Sequence, residues 1–477
     1  CMSEANVYAV NGSKQVADWR KLIAAVLEIL QKVAEIALWA IGDKTVYGSG
    51  CLPADSSGRV GFADIVENSD GEQMLAPKEQ MLVVGAWLSC KETSSLLGTM
   101  VQKLPLPQAA ALESVELLSP GQLSDMGQLL MKVLLTTRHN GAIEKTFLAF
   151  QELCKKVARS PVSSVSSLCS EWLESLLSTV ILEDAYILRR SAGIPFCVLG
   201  ILYAESGEGQ RPLLKRAMES LLHVAVDNSN DSDTTGRIHS LNVLRILIKD
   251  TQLSLDVMPY VASAFVTAIQ GAQSNDWGIT NASSQLFAAL IARSMGKQRV
   301  NDNEARAGVT AVEFFCRFPS LQPYVLNILR DAEAFPAHSG VDPGAYYALL
   351  LLSKLLPSVT TSVNFGLDEL MPVVERCCRH ENYKGRCVAA AALTPLIPED
   401  QILNFMAKTI KQLSMLQQHN DQHGCILVLQ CLIHSFLAGS WNADGIESLM
   451  QTCHPCIGLL EHRKLYANAT VASCQAN

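Results

Sequence analysis

An all-α solenoid of stacked helix pairs is predicted by three features of the sequence: its composition, its hydrophobic periodicity and an internal repeat. At 477 residues the chain exceeds what one hydrophobic core usually organises, which leaves several domains or one repeat array. Hydrophobic residues make up 49%, charged residues 18% and aromatic residues 6%, a balance suited to amphipathic helices packed through Leu, Ala, Val and Ile.

Leu22, Val26, Leu30, Val33 and Ala37 fall three or four residues apart, with Glu28, Lys32 and Glu35 on the other face, so a helix is expected there. Leu214, Met218, Leu221 and Ala225 repeat the pattern behind Pro212, a good first-turn residue. Gly and Asp/Ser clusters mark loops at residues 42–71, 227–236, 295–307 and 337–344, and no strand alternation competes. Four segments superpose without gaps: 140–152, 189–201, 237–249 and 280–292. Their starts are 49, 48 and 43 residues apart, close to the roughly 40–47 of HEAT and armadillo units. A further copy, 386–398, begins 106 residues after Thr280, room for two units and a loop. The fold class is therefore a HEAT/armadillo-like α-solenoid. Each helix pair buries its apolar face only by stacking, which creates a long concave surface for large partners. Residues 1–335 are read as one helical-repeat region and 336–477 as further repeats continuous with it.

A net charge of −8 gives the chain no general attraction to phosphate, so any nucleic-acid contact needs a local basic patch. Residues 189–317 hold 13 Lys/Arg against 12 Asp/Glu, which concentrates the basic character there. Arg237, Arg293, Lys297 and Arg299 are the candidate basic contacts, with a solvated face as the plainer alternative. Fifteen cysteines, an odd number lying mostly in apolar helical patterns, read as free buried thiols in a reducing compartment. A cytoplasmic location is expected, which deprives the N-x-S/T matches at Asn11, Asn281 and Asn468 of meaning. The longest apolar stretches, 22–41 and 192–204, are broken by Glu28, Lys32 and Glu35 and by Pro195, so neither reads as a membrane span. No secretory leader opens the chain, and its start at Cys1 suggests a fragment.

The run Arg189-Arg190-Ser191-Ala192-Gly193-Ile194-Pro195-Phe196 is the most unusual segment. Gly and Pro inside a helix cost about 1 and 3 kcal/mol against Ala, so a kink or break is expected at Pro195. Backbone groups freed there, beside two guanidinium groups, suit a phosphate or carboxylate; a plain helix bend is the alternative. Arg189, Arg190, Ser191, Ala192, Gly193, Ile194 and Pro195 are accordingly the candidate residues for binding a partner's phosphate or carboxylate groups.

Metal chemistry is not expected. Cys453, His454 and Cys456 offer half a zinc knuckle, and Cys377, Cys378, His380 and Cys387 lack a second spaced pair. Asp231 to Gly236 resembles the start of an EF-hand loop, yet position 12 is Asn242 where Glu is needed. No phosphate-loop, zinc-protease or hydrolase-elbow motif occurs, and His139, His239 and His423 read as packed or surface residues. No catalytic residue, metal or cofactor is assigned, and the chain is read as a non-enzyme.

The Arg189 to Pro195 run is similar to the R-R-S-A-G-[IL]-P signature of the THADA family (thyroid adenoma-associated protein and its fungal counterparts). Trp87 with Lys91-Glu92 and Leu96-Leu97, Gly141-Ala142 with Glu144, and His239 through Asp250 match in order. So do Asp276-Trp277 with Asn281 and Ser283-Ser284, Glu313-Phe314-Phe315 with Arg317-Phe318-Pro319, and His423-Gly424. The resemblance covers roughly residues 18–460 and implies that the chain is a central portion of a longer family member, containing the family's domain of unknown function. It implies a non-catalytic scaffold for an FtsJ-type ribose methyltransferase acting on nucleotide 32 of the tRNA anticodon loop, with tRNA in the complex and no membrane insertion. Thr280 and Leu88 depart from the family's arginines, which puts basic contacts there in doubt. A HEAT-repeat adaptor between proteins, without an RNA role, is the alternative.

Overall fold

The computed structural model describes residues 13–42, 66–67, 73–74, 78–105, 117–137, 139–182, 193–205, 210–226, 234–295, 308–331, 342–358, 366–437 and 443–463. Among them the regular structure is helical, apart from a two-residue antiparallel ribbon of β1 (Val66–Glu67) with β2 (Gln73–Met74) and one parallel bridge. Strands of two residues are too short for alternation to register in sequence. The residues form two compact units, 1–247 and 248–477.

The first unit contains α1 (Ser13–Gly42), α2 (Lys78–Lys103), α3 (Pro120–Thr136), α4 (Asn140–Ala158), α5 (Leu168–Leu182), α6 (Ile194–Ala204) and α7 (Pro212–Val226). Most of α8 (Thr234–Lys249) also lies in it, and a single helical turn, Ser163–Ser166, links α4 to α5. Helices α2, α4 and α6 lie side by side in one row, while α3 pairs with α4 and α5 with α6, the arrangement of stacked helix pairs. Helix starts follow their caps. Gln122 N–H donates to Ser119 Oγ (3.2 Å) and Ser119 N–H donates to Gln122 Oε1 (2.9 Å), a capping box in front of Pro120.

Small residues set the distance between neighbours. A Cβ on Gly98 of α2 would lie 2.9 Å from Cβ of Ala149, one on Gly127 2.1 Å from the Trp172 ring, and one on Gly200 2.9 Å from the Phe150 ring. The hydroxyls of Ser94 and Thr146 share a buried 2.8 Å hydrogen bond that fixes the α2–α4 register. Phe150, Leu153, Leu173 and Leu202 are fully buried between the rows. Each such side chain contributes about 1.5–3 kcal/mol.

The second unit runs through α9 (Val261–Ala272), α10 (Trp277–Met295), α11 (Ala311–Arg317), α12 (Leu321–Asp331), α13 (Pro343–Leu352), α14 (Leu367–Cys377), α15 (Tyr383–Leu393), α16 (Ile402–Met415), α17 (His419–Leu437) and α18 (Ala443–Arg463). The pairs are α9 with α10, α12 with α13, α14 with α15 and α16 with α17; α13, α15 and α17 form a row. Phe265, Phe287, Phe314, Phe315 and Phe318 make its aromatic core through edge-on contacts. A backbone clasp, Ala311 N–H to Leu356 C=O (3.0 Å) and Leu356 N–H to Val309 C=O (2.9 Å), ties the start of α11 to the segment after α13.

Of the five repeat segments found in the sequence, 140–152, 237–249 and 280–292 fall on α4, α8 and α10, while 386–398 overlaps α15 and 189–201 overlaps α6 from Ile194, its first four residues lying outside the described residues. Stretches read as loops at 227–236 and 337–344 are shortened because α8 begins at Thr234 and Asp342 caps α13, accepting from Ala345 N–H at 2.7 Å. The last copy ends early: α15 stops at Leu393 and passes into a 3-10 turn containing Pro395.

Candidate functional site

In the first unit the start of α6 packs on the last turn of α3, and the first half of α2 packs on the start of α4. Gly193 is the N-cap of α6, and its carbonyl accepts from the N–H groups of Phe196 and Cys197, both at 3.0 Å. Its φ of −86° is open to any residue, so its glycine identity is a matter of space. A Cβ there would lie 2.1 Å from the carbonyl oxygen of Leu134, in the last turn of α3. Gly193 and Pro195 are buried and Ile194 is half-buried.

The expected break at Pro195 is thus a helix start. Proline in the first turn lacks only an N–H that has no partner in the helix, so α6 runs on without a kink. The buried start of α6 is occupied by packing on α3. Arg189, Arg190, Ser191 and Ala192 lie outside the described residues, immediately before this anchor.

Trp87 of α2 stacks on His139, with ring centroids 3.8 Å apart and planes 12° from parallel. Trp87 covers the apolar cluster of Ala37, Leu38, Ala40, Ala86, Cys90 and Val133. His139 is the N-cap of α4: its Nδ1 accepts from Ala142 N–H at 3.3 Å. That bond needs a neutral Nδ1. Burial holds the imidazole pKa below its ordinary 6.5, against the opposing pull of Glu144. Gly141 leaves room for the ring, since a Cβ there would sit 3.1 Å from His139 Cε1. Residues 87, 139 and 141 are thereby brought together, which spacing in sequence did not reveal, while Gly193 packs on the last turn of α3.

The candidate cations are placed differently. Arg237 Nε donates to the Ala225 carbonyl at 3.3 Å, closing the end of α7. Arg293 Nε donates to the Ile248 carbonyl at 2.7 Å and its Nη2 to the Asp250 carbonyl, closing the end of α8. Lys297 and Arg299 lie outside the described residues. Arg216 pairs with Glu174 through two bonds of 2.8 and 3.0 Å, and Arg211 bonds the Leu202 carbonyl (2.7 Å) beside Glu205. Thr280, where the family resemblance suggests arginine, donates its hydroxyl to the carbonyls of Ser274 and Asp276, both at 3.0 Å.

In the second unit, the motif residue His423 belongs to a buried hub. Arg386 donates Nε to His423 Nδ1 (3.1 Å) and Nη1 to the carbonyls of His380 (2.7 Å) and Glu381 (2.8 Å) and to Asn420 Oδ1 (3.0 Å). Gly424 lets α17 close on the Cys378 carbonyl, 2.0 Å from where a Cβ would stand. The thiols of Cys154, Cys197 and Cys378 are pushed above their ordinary range by burial, which makes them poor nucleophiles. Among the described residues no group of three or more His, Cys, Asp or Glu could hold a metal ion, and no helix is long and apolar enough to cross a membrane.

Residues 21–278 match the family model described as THADA/TRM732, DUF2428, and residues 280–432 match that of Trm732 C-terminal TPR repeats. The tRNA (32-2'-O)-methyltransferase regulator THADA of Gallus gallus is 32% identical over 396 residues, 80% of this chain and 20% of the relative. The Homo sapiens protein of the same name is 32% identical over 372 residues, 75% and 19% of the two chains. The regulator trm732 of Schizosaccharomyces pombe is 26% identical over 432 residues, 88% and 28%. The chain spans about a fifth of the length of these vertebrate relatives, which are named as regulators of a methyltransferase and not as methyltransferases. The chain belongs to the THADA/TRM732 family.

Proposed function

We propose that this chain is the central part of a non-catalytic regulatory subunit that holds an FtsJ-type methyltransferase and tRNA together for 2′-O-methylation of nucleotide 32, in the cytoplasm. The observation that carries the reading is membership of a family whose named relatives regulate this reaction. The anchoring of Gly193 on the Leu134 carbonyl supports it, because a rigid support directly follows Arg189-Arg190 in the chain. The methyl donor and the reacting groups belong to the partner subunit, and this chain supplies position.

Charge reversal in the full-length protein, R189E/R190E, tests the site. Complementation with the double variant is expected to leave nucleotide 32 unmethylated while circular dichroism stays native; full methylation would sink the assignment. A protein-only adaptor is favoured by one observation, that Arg237 and Arg293 are engaged by backbone carbonyls. Salt separates the two readings, since phosphate contacts give tRNA affinity that falls steeply with ionic strength.

A further inference from the structure

The row α2, α4, α6 begins with α2, which also packs on α1. The side of α2 that meets α4 is marked by three contacts: Trp87 with His139, Ser94 with Thr146 and Gly98 with Ala149. At 3.6 residues per turn, Leu82, Gly85, Ser89 and Leu96 fall on the opposite side of the same helix. That side is open. Leu82 is 52% exposed and Leu96 44%, and a Cβ on Gly85 would meet nothing within 4 Å. The Ser89 hydroxyl donates to the Gly85 carbonyl at 2.8 Å, which leaves no unanswered side chain among the four. On α1, Leu22, Ile29, Val33 and Ile36 share one face and are 38–67% exposed, while Ile23, Leu30, Ala34 and Ala37 on another face are buried. The charges of α1 keep to a third flank, where Glu28 pairs with Lys32 (2.6 Å) and Gln31 donates to Glu35 (3.1 Å).

A repeat that ends a solenoid needs a polar outer face, and neither helix of this pair has one. The open side of α2 instead copies its packed side. Gly98 lets Ala149 of α4 approach closely, and Gly85 with Ser89 leaves the same room opposite. The vertebrate relatives are about four times the length of this chain, which supplies sequence for further helix pairs. We infer that the open faces centred on Ile29 of α1 and Leu96 of α2 are the stacking surface for a further helix pair of the same polypeptide, the pair that precedes this region in the longer protein. These side chains offer no cation to a phosphate backbone. Apolar faces of this extent are a liability in a free protein, and a segment of the same chain covers them at all times, unlike a subunit that comes and goes. This end of the first unit is then interior to a longer stack, and tRNA and the methyltransferase are met elsewhere. The stacking stands whichever partner the protein serves.

Two measurements on the full-length protein test it. In the first, I29C, L96C and E28C are each labelled with a maleimide and read by peptide mass spectrometry. The thiols at 29 and 96 are expected to react at least 10-fold more slowly than the one at 28, which lies on the charged flank of α1. Equal rates would show both faces open to water and overturn the stacking surface. In the second, p-benzoylphenylalanine replaces Ile29 or Leu96, and the protein is irradiated with purified methyltransferase and tRNA present. Crosslinks are expected within one polypeptide, to a segment preceding this region. Crosslinks to the methyltransferase, to tRNA, to a second copy or to residues 43–77 would overturn it in favour of that occupant. None of these outcomes bears on methylation of nucleotide 32, so the regulatory reading stands or falls separately.

Discussion

At Gly193 the constraint is steric, and it acts on backbone. A methyl group there meets the Leu134 carbonyl oxygen at 2.1 Å, so α6 or α3 must shift. G193A is expected to lower unfolding free energy by about 1–3 kcal/mol in urea titration. It is also expected to reduce nucleotide-32 methylation by displacing the adjoining arginines; unchanged stability would remove the anchor from the account. His139 and His423 give a pH signature. Burial lowers the pKa of both below 6.5, and Arg386 adds to the effect at His423. The neutral imidazoles therefore stabilise the fold fully above about pH 6.5, and that contribution is lost as pH falls toward the folded-state values. Thermal midpoints should fall between pH 7 and pH 5, less so in H139N, where an amide can keep the cap. The sequence marked Pro195 as a kink or break inside a helix where the structure has a helix start, and Gly193's neighbour Leu134 is 59 residues away, with no local pattern to reveal it.

At the scale of elements, cations close helix ends across the stack. Lys156 of α4 reaches the carbonyls of Val101, Gln102 (3.1 Å) and Leu104 (3.2 Å) at the end of α2, as Arg293 of α10 reaches the end of α8. These bonds answer the last carbonyls, which have no partner within their helix. R293Q is expected to cost about 1.5–3 kcal/mol and to speed amide exchange in the last turn of α8. Unaltered exchange there would mean that the cap is idle. Helix positions were readable because apolar periodicity is local, as in Leu214, Met218, Leu221 and Ala225 of α7. The caps were not, because Arg293 and Ile248 are 45 residues apart and an arginine near a helix end looks the same whether solvated or bonded.

For the whole molecule, stacked pairs imply that stability is passed between neighbours and not through one core. R386A removes the hub that joins the segment after α14 to α17. Its expected effect is faster hydrogen exchange in α14, α15 and α17, with the first unit unchanged; uniform acceleration over both units would contradict a nearest-neighbour stack. The repeat spacing located α4, α6, α8, α10 and α15 because equivalent helices reuse similar apolar positions. The contact of Trp87 with His139 was legible only as separate family-like motifs, since stacking sets their proximity. The vertebrate relatives named for this reaction are about four times the length of this chain, so the function proposed is that of a longer protein's family. The most direct measurement is therefore the level of 2′-O-methylation at nucleotide 32 in tRNA from cells lacking the full-length protein, against cells expressing it. The account predicts loss of that mark with the methyltransferase subunit still present; an unchanged level would contradict it.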